Sequence, residues 1–275
     1  MVFQPSTSEG GGLVVMSLQW LLVVWGSATV LMLVVWGIYH QKQQNAVLAD
    51  VGFCLGFALI VLGSGWLATG DPYKRSVVSA MGAVYGFRLA GHLYWARVRR
   101  MTEDRRYQTL RARWGHRAER WLFLYFIGQA PAIVVMSLPL LVLMGNANSQ
   151  WSAWEILGVA VWMIGISGEG MADRQLMRFR RDPSNAGKVC RDGLWKYSRH
   201  PNYFFEGVLW CGYVLMGVGV PNGWITLVGP VLMIGSLLKV TGIPLAEAQA
   251  LHSRGDAYRE YQRTTSVFIP WFPKQ

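Results

Sequence analysis

Two pairs of polar side chains stand four residues apart at the ends of apolar segments, a spacing that places both members on one helix face. Asn202 and Glu206 form one pair in WKYSRHPNYFFEG, directly before the apolar run VLWCGYVLMGVGV, and Glu169 and Asp173 form the other. Amides and carboxylates at the edge of hydrocarbon cost free energy unless they find partners. Arginines in the neighbouring segments can neutralise phosphate. The two pairs therefore indicate a binding site for a phosphate-bearing cofactor.

A third polar face precedes them in YGFRLAGH. Tyr85, Arg88 and His92 follow one another at spacings of three and four residues, so they share one face of a helix. Asp50 stands one turn into the preceding apolar segment. Ionisable groups inside a membrane segment are candidates for function by default. A purely structural ion pair between Asp50 and Arg88 is the alternative, and the sequence leaves both interpretations open.

The elements that position these residues are apolar segments of membrane-spanning length. Hydrophobic residues make up 52% of the 275-residue chain and charged residues 15%, against about 25% charged in soluble domains. We predict an all-α, polytopic integral membrane protein with one domain over 1–275 and an interfacial tail at 241–275. Its seven predicted transmembrane helices cover about 13–39, 46–69, 76–96, 121–144, 151–172, 203–220 and 222–240.

The basic residues give this arrangement an orientation. The formal net charge is +11, and of 26 Lys and Arg residues nine lie in 97–120, eight in 174–199 and five from Lys239 onward. Such confinement follows the positive-inside pattern rather than that of a nucleic-acid-binding surface. It predicts an outside N-terminus, a cytoplasmic C-terminus and a cytoplasmic location for the polar pairs. Contact with anionic lipid is a second reason for basic loops.

Two connecting segments carry further predictions. The stretch 97–120, RVRRMTEDRRYQTLRARWGHRAER, is expected to form an amphipathic helix along the membrane surface. GISGEG at 165–170 looks like a phosphate-binding loop, but it lies inside an apolar helix without a preceding strand. Its glycines are therefore expected to permit close helix packing. The five histidines are scattered, so no metal site is predicted.

The stretch GLWKYSRHPNYFFE resembles the signature of the steroid 5-alpha-reductase family, in its bacterial branch, and so does the closing YREYQRTTSVFIPW. Sterol C14 reductases and isoprenylcysteine carboxyl methyltransferases carry a looser RHPxY…E, so the short motif specifies the superfamily better than the reaction. The resemblance implies a seven-helix membrane enzyme, in the bacterial inner membrane, that uses NADPH to reduce a carbon–carbon double bond conjugated to a ketone.

The resemblance also implies roles for individual residues. Asn202 and Glu206 match an asparagine and a glutamate that contact the cofactor in this family. Asp173 and Arg180 match an aspartate and an arginine at the end of the fifth helix that also contact it. The full set expected to bind NADPH is Arg88, Glu169, Asp173, Arg180, Lys188, Arg199, His200, Asn202, Tyr203 and Glu206. Within this set, Lys188, Arg199 and His200 are expected to neutralise the phosphates.

Tyr85 matches the tyrosine that the family's steroid reductases pair with a glutamate, and Asp50 is the nearest acid here. Hydride addition to an enone develops negative charge on its oxygen, and a tyrosine hydroxyl with a buried carboxylic acid can donate hydrogen bonds to it. Tyr85 and Asp50 are therefore the expected catalytic pair. Asp50 is shorter than the family's glutamate, and Glu169 stands where the mammalian enzymes have an asparagine.

Two other functions are consistent with parts of the sequence. A membrane methyltransferase that uses S-adenosylmethionine would also employ the RHPNY…E region, but a sulfonium cofactor does not require so many phosphate-binding arginines. A transporter or lipid-binding protein would spread polar residues across the bilayer midplane and often contain paired repeats. Neither feature is present in the sequence. The expected partners are a lipophilic, steroid-like enone and the lipid bilayer, with no nucleic acid.

Overall fold

The computed structural model describes residues 18–99 and 103–274, and these residues form α-helices with short 3₁₀ and π segments and no β-strand. The helices are α1 Leu18–Ile38, α2 Leu48–Leu67, α3 Pro72–Leu93, α4 Arg105–Trp114, α5 Ala118–Met144, α6 Ala153–Arg181, α7 Pro201–Met216, α8 Val228–Lys239, α9 Ile243–Arg254 and α10 Asp256–Thr264. The all-α prediction is confirmed for this part of the chain.

Each of the seven predicted apolar segments contains a helix, namely α1, α2, α3, α5, α6, α7 and α8 in chain order. The first predicted segment begins at residue 13, and its residues 13–17 lie outside the described part of the chain. Local signals define several helix starts. Asp71 caps α3 by accepting hydrogen bonds from the backbone N–H groups of Tyr73 and Lys74, and Ser152 and Glu155 form a capping box at α6.

Five stretches of the described chain are long and apolar enough to cross a membrane: Trp20–Gln41, Leu48–Leu67, Arg105–Met144, Ala153–Arg181 and Gly223–Arg254. The protein thus has the composition of an integral membrane protein. The helices α3 and α7 are not among the five. With 16 residues, α7 is roughly 24 Å long, which is shorter than a hydrocarbon core of about 30 Å. Seven spans and the orientation of the termini therefore stay predictions.

The two surface segments also fold as helices. The amphipathic helix predicted over 97–120 corresponds in part to α4, Arg105–Trp114, which lies between the capping residues Asp104 and Gly115. Residues 118–120 belong to α5, and residues 100–102 lie outside the described part of the chain. The predicted tail contains α9 and α10, and its residues 265–274 have no regular structure. The helical conformation of α4 is confirmed, whereas its position along a membrane surface stays a prediction.

The chain divides into two compact units. The first contains α1 to α5 together with Gly219–Thr226, and the second contains Ser152–Val218 and 227–274. Asp50, Tyr85 and Arg88 belong to the first unit, and the other predicted cofactor residues belong to the second.

Within the first unit, α2 and α3 pack as an antiparallel pair. The ring of Tyr85 on α3 meets the ring of Phe57 on α2 edge-on, with centroids 5.9 Å apart. A side chain at Gly86 would lie 2.8 Å from the carbonyl oxygen of Cys54, so only glycine permits this approach of the two helices. The same alignment places Asp50 of α2 level with His92 of α3.

Within the second unit, α6 and α7 also pack antiparallel and very closely. A Cβ atom on Gly165 would lie 2.5 Å from the backbone nitrogen of Leu209, and one on Gly168 would lie 2.3 Å from the ring of Phe205. These glycines belong to GISGEG, so the predicted role of that stretch in close helix packing is confirmed. The packing aligns the end of α6 with the start of α7, where the polar pairs lie.

Candidate functional site

The α6–α7 polar cluster, which consists of Glu169, Asp173, Asn202 and Glu206, is the candidate cofactor site. Its three acidic residues are only 3%, 5% and 6% exposed, in chain order. Glu169 and Asp173 lie one turn apart on α6, and the helix alignment brings Glu206 level with Glu169. Both polar pairs found in the sequence are thus brought together at one end of a helix hairpin.

Asn202 gives the cluster its clearest indication of a ligand. Its Nδ2 atom donates a hydrogen bond to Oδ1 of Asp173 at 3.3 Å. Its own Oδ1 atom is buried and has no hydrogen-bond partner among the described residues. A buried acceptor without a partner costs about 1–3 kcal/mol. This oxygen is therefore suited to accept a hydrogen bond from an N–H or O–H group of a ligand.

Arg199 and His200, which were expected to neutralise phosphates, make other contacts in this structure. Nε of Arg199 donates to Oε1 of Glu247 at 2.6 Å, and its Nη1 donates to the carbonyl oxygens of Gln262 and Thr265 at 3.0 and 2.6 Å. The same Glu247 oxygen lies 3.3 Å from Nε2 of His200. These contacts join the start of α7 to the C-terminal segment, and phosphate binding by either residue stays a prediction.

His200 is the residue that precedes the first turn of α7, and its contacts fix the start of this helix. The backbone N–H of His200 donates to Oγ of Ser198 at 3.1 Å, and Pro201 provides the first helical residue, where no N–H donor is needed. The rings of His200 and Tyr203 stack nearly parallel, with centroids 5.3 Å apart and an interplanar angle of 4°. Tyr203, a predicted cofactor residue, thus supports the position of His200.

The loop before α7 is also held by the tail and by α6. Oγ of Ser198 donates to the carbonyl oxygen of Phe268 at 2.8 Å, and Nε1 of Trp195 donates to that of Ala172 at 2.9 Å. The hydroxyl of Tyr261 donates to the carbonyl oxygens of Trp195 and Ser198. Burial raises the pKa of Tyr261 above its ordinary value, so the phenol stays protonated and keeps these two bonds.

The other two predicted cations of the second unit lie at its surface. Arg180 at the end of α6 and Lys188 in the following loop are both exposed. Exposed side chains of this kind are accessible to phosphate groups, and their role stays a prediction. Burial raises the pKa of the Cys190 thiol in the same loop, so this cysteine is a neutral thiol rather than a reactive thiolate.

In the first unit, Asp50 is the centre of a hydrogen-bonded cluster. One carboxylate oxygen forms an ion pair with Arg106 of α4, and the other accepts hydrogen bonds from the hydroxyls of Tyr107 at 2.8 Å and Tyr125 at 3.4 Å. Asp50 thus forms a structural ion pair, the alternative to a catalytic role that the sequence left open. Its partner is Arg106, however, and not Arg88. In this cluster Asp50 acts as an acceptor, whereas polarising a ketone requires a donor.

Tyr85 is 4% exposed and lies at the level of Phe57. Phe57 follows Asp50 by seven residues, which is roughly 10 Å along a helix. The structure therefore does not bring Tyr85 and Asp50 together as a pair. Arg88, one turn further along α3, is partly buried in the same unit.

We expect Asp50→Asn to lower the free energy of unfolding by about 2 kcal/mol, because it leaves the mostly buried Arg106 guanidinium without its charge partner. The melting temperature in detergent measures this effect. Asp256→Asn is the matched control, since its partner Arg259 and Asp256 itself are largely exposed. An unchanged melting temperature in Asp50→Asn would contradict a structural role for the ion pair.

The sequence alone missed the residues that hold these clusters. Glu247 lies 48 residues from Arg199, and Arg106 lies 56 residues from Asp50. Helical periodicity indicates which residues share a face, but it does not identify partners on a distant helix. The acidic Glu247 in an otherwise mostly apolar stretch, GIPLAEAQAL, is the one signal that could have singled it out.

A family model described as "Protein of unknown function (DUF1295)" matches residues 35–265. The chain also matches proteins named 3-oxo-5-alpha-steroid 4-dehydrogenase 1. It is 36% identical to that of Bos taurus over 69 residues, covering 25% of this chain and 26% of the relative. It is 27% identical to that of Rattus norvegicus over 116 residues, covering 42% and 41%, and 27% identical to that of Mus musculus over 117 residues, covering 42% of each.

The helical membrane protein described above therefore belongs to the DUF1295 family, and with it to the steroid 5-alpha-reductase family. This confirms the resemblance carried by GLWKYSRHPNYFFE. The chain spans less than half the length of the curated relatives it matches. No solved structure matches the chain.

Proposed function

We propose that this protein is an NADPH-dependent membrane reductase that saturates the carbon–carbon double bond of a lipophilic enone, with a 3-oxo-Δ4 steroid as the acceptor. The names of the matched relatives support this reaction class. The observation that carries the cofactor assignment is the buried Oδ1 of Asn202, which has no hydrogen-bond partner among the described residues. The Nδ2 atom of the same amide is bound to the Asp173 carboxylate.

The α6–α7 polar cluster fits the donor-rich end of NADPH. The nicotinamide carboxamide N–H groups and the ribose hydroxyls of NADPH are hydrogen-bond donors. The cluster offers acceptors, namely Oδ1 of Asn202 and the carboxylates of Glu169, Asp173 and Glu206. The phosphates need cations instead, and the exposed Arg180 and Lys188 in the same unit supply them. Arg88 of the first unit keeps its proposed role on the strength of the family resemblance.

When bound, NADPH would supply the hydride that adds to the β-carbon of the enone, and uptake of a solvent proton at the α-carbon would complete the saturated ketone. We assign to Tyr85 the hydrogen bond that stabilises the negative charge developing on the ketone oxygen, because its phenol is a buried donor. Asp50 is assigned a supporting role, since its carboxylate is engaged by Arg106 and Tyr107. A steroid-like acceptor is apolar enough to reach the protein from the bilayer.

The proposed topology has seven spans, with the N-terminus outside and the cofactor residues facing the cytoplasm of a bacterial cell. The confinement of basic residues to 97–120, 174–199 and the tail supports this orientation. NADPH is a cytoplasmic reductant, so a cytoplasmic cofactor face is what the reaction requires.

Ligand-induced stabilisation tests the proposal. A ligand at 100 times its dissociation constant stabilises the folded protein by about 2.7 kcal/mol. We expect NADPH to raise the melting temperature of the detergent-purified protein by several degrees, and S-adenosylmethionine at the same concentration to leave it unchanged. A shift with S-adenosylmethionine alone would identify the methyltransferase of the same superfamily and overturn the reductase proposal.

A further inference from the structure

Glu247 of α9 connects the C-terminal segment to the segment that begins α7. Its Oε1 accepts the Nε–H of Arg199 at 2.6 Å and lies 3.3 Å from Nε2 of His200. Its Oε2 accepts a hydrogen bond from Nε2 of Gln262 at 2.8 Å. The side chain is 16% exposed. Both carboxylate oxygens are thus engaged in a site largely shielded from water.

The residues that Glu247 holds come directly before the candidate cofactor site. His200 immediately precedes the first helical residue of α7, and its ring stacks on that of Tyr203. Asn202 lies between them on the same first turn. The contacts of Glu247 with Arg199 and His200 therefore restrict the backbone from which the Asn202 amide projects toward Asp173.

We propose that Glu247 is a positioning residue for the candidate cofactor site. It acts through Arg199 and His200, whose fixed placement orders the first turn of α7 and orients Asn202. Its effect on cofactor affinity rests on the proposed function above, whereas its effect on the order of α7 rests on the contacts alone.

Glu247→Gln is the sharpest variant, because it preserves the length of the side chain. A glutamine has one acceptor oxygen where the carboxylate has two, and its NH₂ group faces a donor on Arg199 or Gln262. Glu247→Asp retains the charge but shortens the reach, and is expected to be intermediate. Glu260→Gln is the matched control, since Glu260 pairs with the exposed Arg263 on the surface of α10.

Hydrogen exchange tests the ordering without any cofactor. We expect the backbone amides of 198–206 to exchange at least tenfold faster in Glu247→Gln than in the unmodified protein. The amides of 153–165 in α6, and the whole protein in Glu260→Gln, should keep their exchange rates. Unchanged exchange of 198–206 in Glu247→Gln would overturn the proposal, whatever the cofactor is. General acceleration in all segments of Glu247→Gln, with normal local order in Glu247→Asp, would also overturn it.

Calorimetric titration then tests the link to the cofactor. We expect Glu247→Gln to raise the Kd for NADPH about tenfold, and to add little further loss to Asn202→Ala, because both changes act on one contact. An unchanged Kd in Glu247→Gln would overturn the link. If the unmodified protein does not bind NADPH, the proposed function fails, and the exchange comparison still decides the role of Glu247.

Discussion

Tyr85→Phe is expected to lower turnover about 100- to 1,000-fold, the usual effect of removing one hydrogen-bond donor from a developing oxyanion. Phenylalanine retains the ring that packs against Phe57 and removes only the hydroxyl. The affinity for NADPH should therefore stay nearly the same. The measurement is NADPH oxidation with progesterone as the test enone in detergent micelles, alongside calorimetric titration of the cofactor.

The matched control for this variant is Tyr73→Phe, on the same helix α3. Tyr73 is 79% exposed, so the loss of its hydroxyl should leave turnover unchanged. Full activity in Tyr85→Phe would remove Tyr85 from the mechanism, even if the protein proved to be a reductase. A fall in NADPH affinity equal to the fall in turnover would assign Tyr85 to cofactor binding instead.

Comparison with Asp50 sharpens the assignment. Residues that act as a unit on one oxygen give strongly non-additive losses when both are changed. Tyr85 and Asp50 are separated by roughly 10 Å along the α2–α3 pair, and Asp50 is engaged by Arg106. We therefore expect Asp50→Asn and Tyr85→Phe to have additive effects on turnover per folded molecule. Marked non-additivity would restore the catalytic pair predicted from the sequence.

Local sequence patterns predicted the parts of the fold that depend on local physics. Mostly apolar runs located the seven helices, and the glycines of GISGEG indicated the close contact that Gly165 makes with Leu209. A four-residue spacing correctly placed Glu169 and Asp173 on one buried face. These features need no knowledge of which helix lies next to which.

The tertiary partners could not be predicted in the same way. The Asp50–Arg106 and Arg199–Glu247 ion pairs join residues about 50 positions apart, and each of these side chains has several oppositely charged candidates in the sequence. The choice depends on how α4 and α9 pack, which no periodicity specifies. For the same reason the sequence assigned Arg199 to a phosphate, although a carboxylate and two carbonyl oxygens already surround its guanidinium group.

The candidate cofactor site differs from these structural clusters because the buried group that it leaves without a partner is an acceptor. In the Asp50 cluster the corresponding atom is a donor, Nε of Arg106, whose guanidinium group is already paired with the carboxylate. In the Arg199–Glu247 contact and the Asp50 cluster, each carboxylate oxygen has a donor. Oδ1 of Asn202 is buried without one among the described residues. A group that lowers stability in the absence of ligand and gains a bond in its presence is typical of a binding site rather than of a structural core.

Asn202→Ala is accordingly expected to raise the Kd for NADPH about 10- to 150-fold, because loss of a hydrogen bond with a charged or buried group costs about 1.5–3 kcal/mol. Calorimetric titration measures this loss. The melting temperature without cofactor should change little, since the variant removes a costly unpaired acceptor together with the 3.3 Å bond to Asp173. NADPH should then produce a much smaller rise in melting temperature than in the unmodified protein.

Asn148→Ala, in an exposed loop of the first unit, is the control and should match the unmodified protein in both measurements. A cofactor-free protein that melts several degrees lower, with NADPH affinity unchanged, would make Asn202 a structural residue and exclude it from the cofactor site.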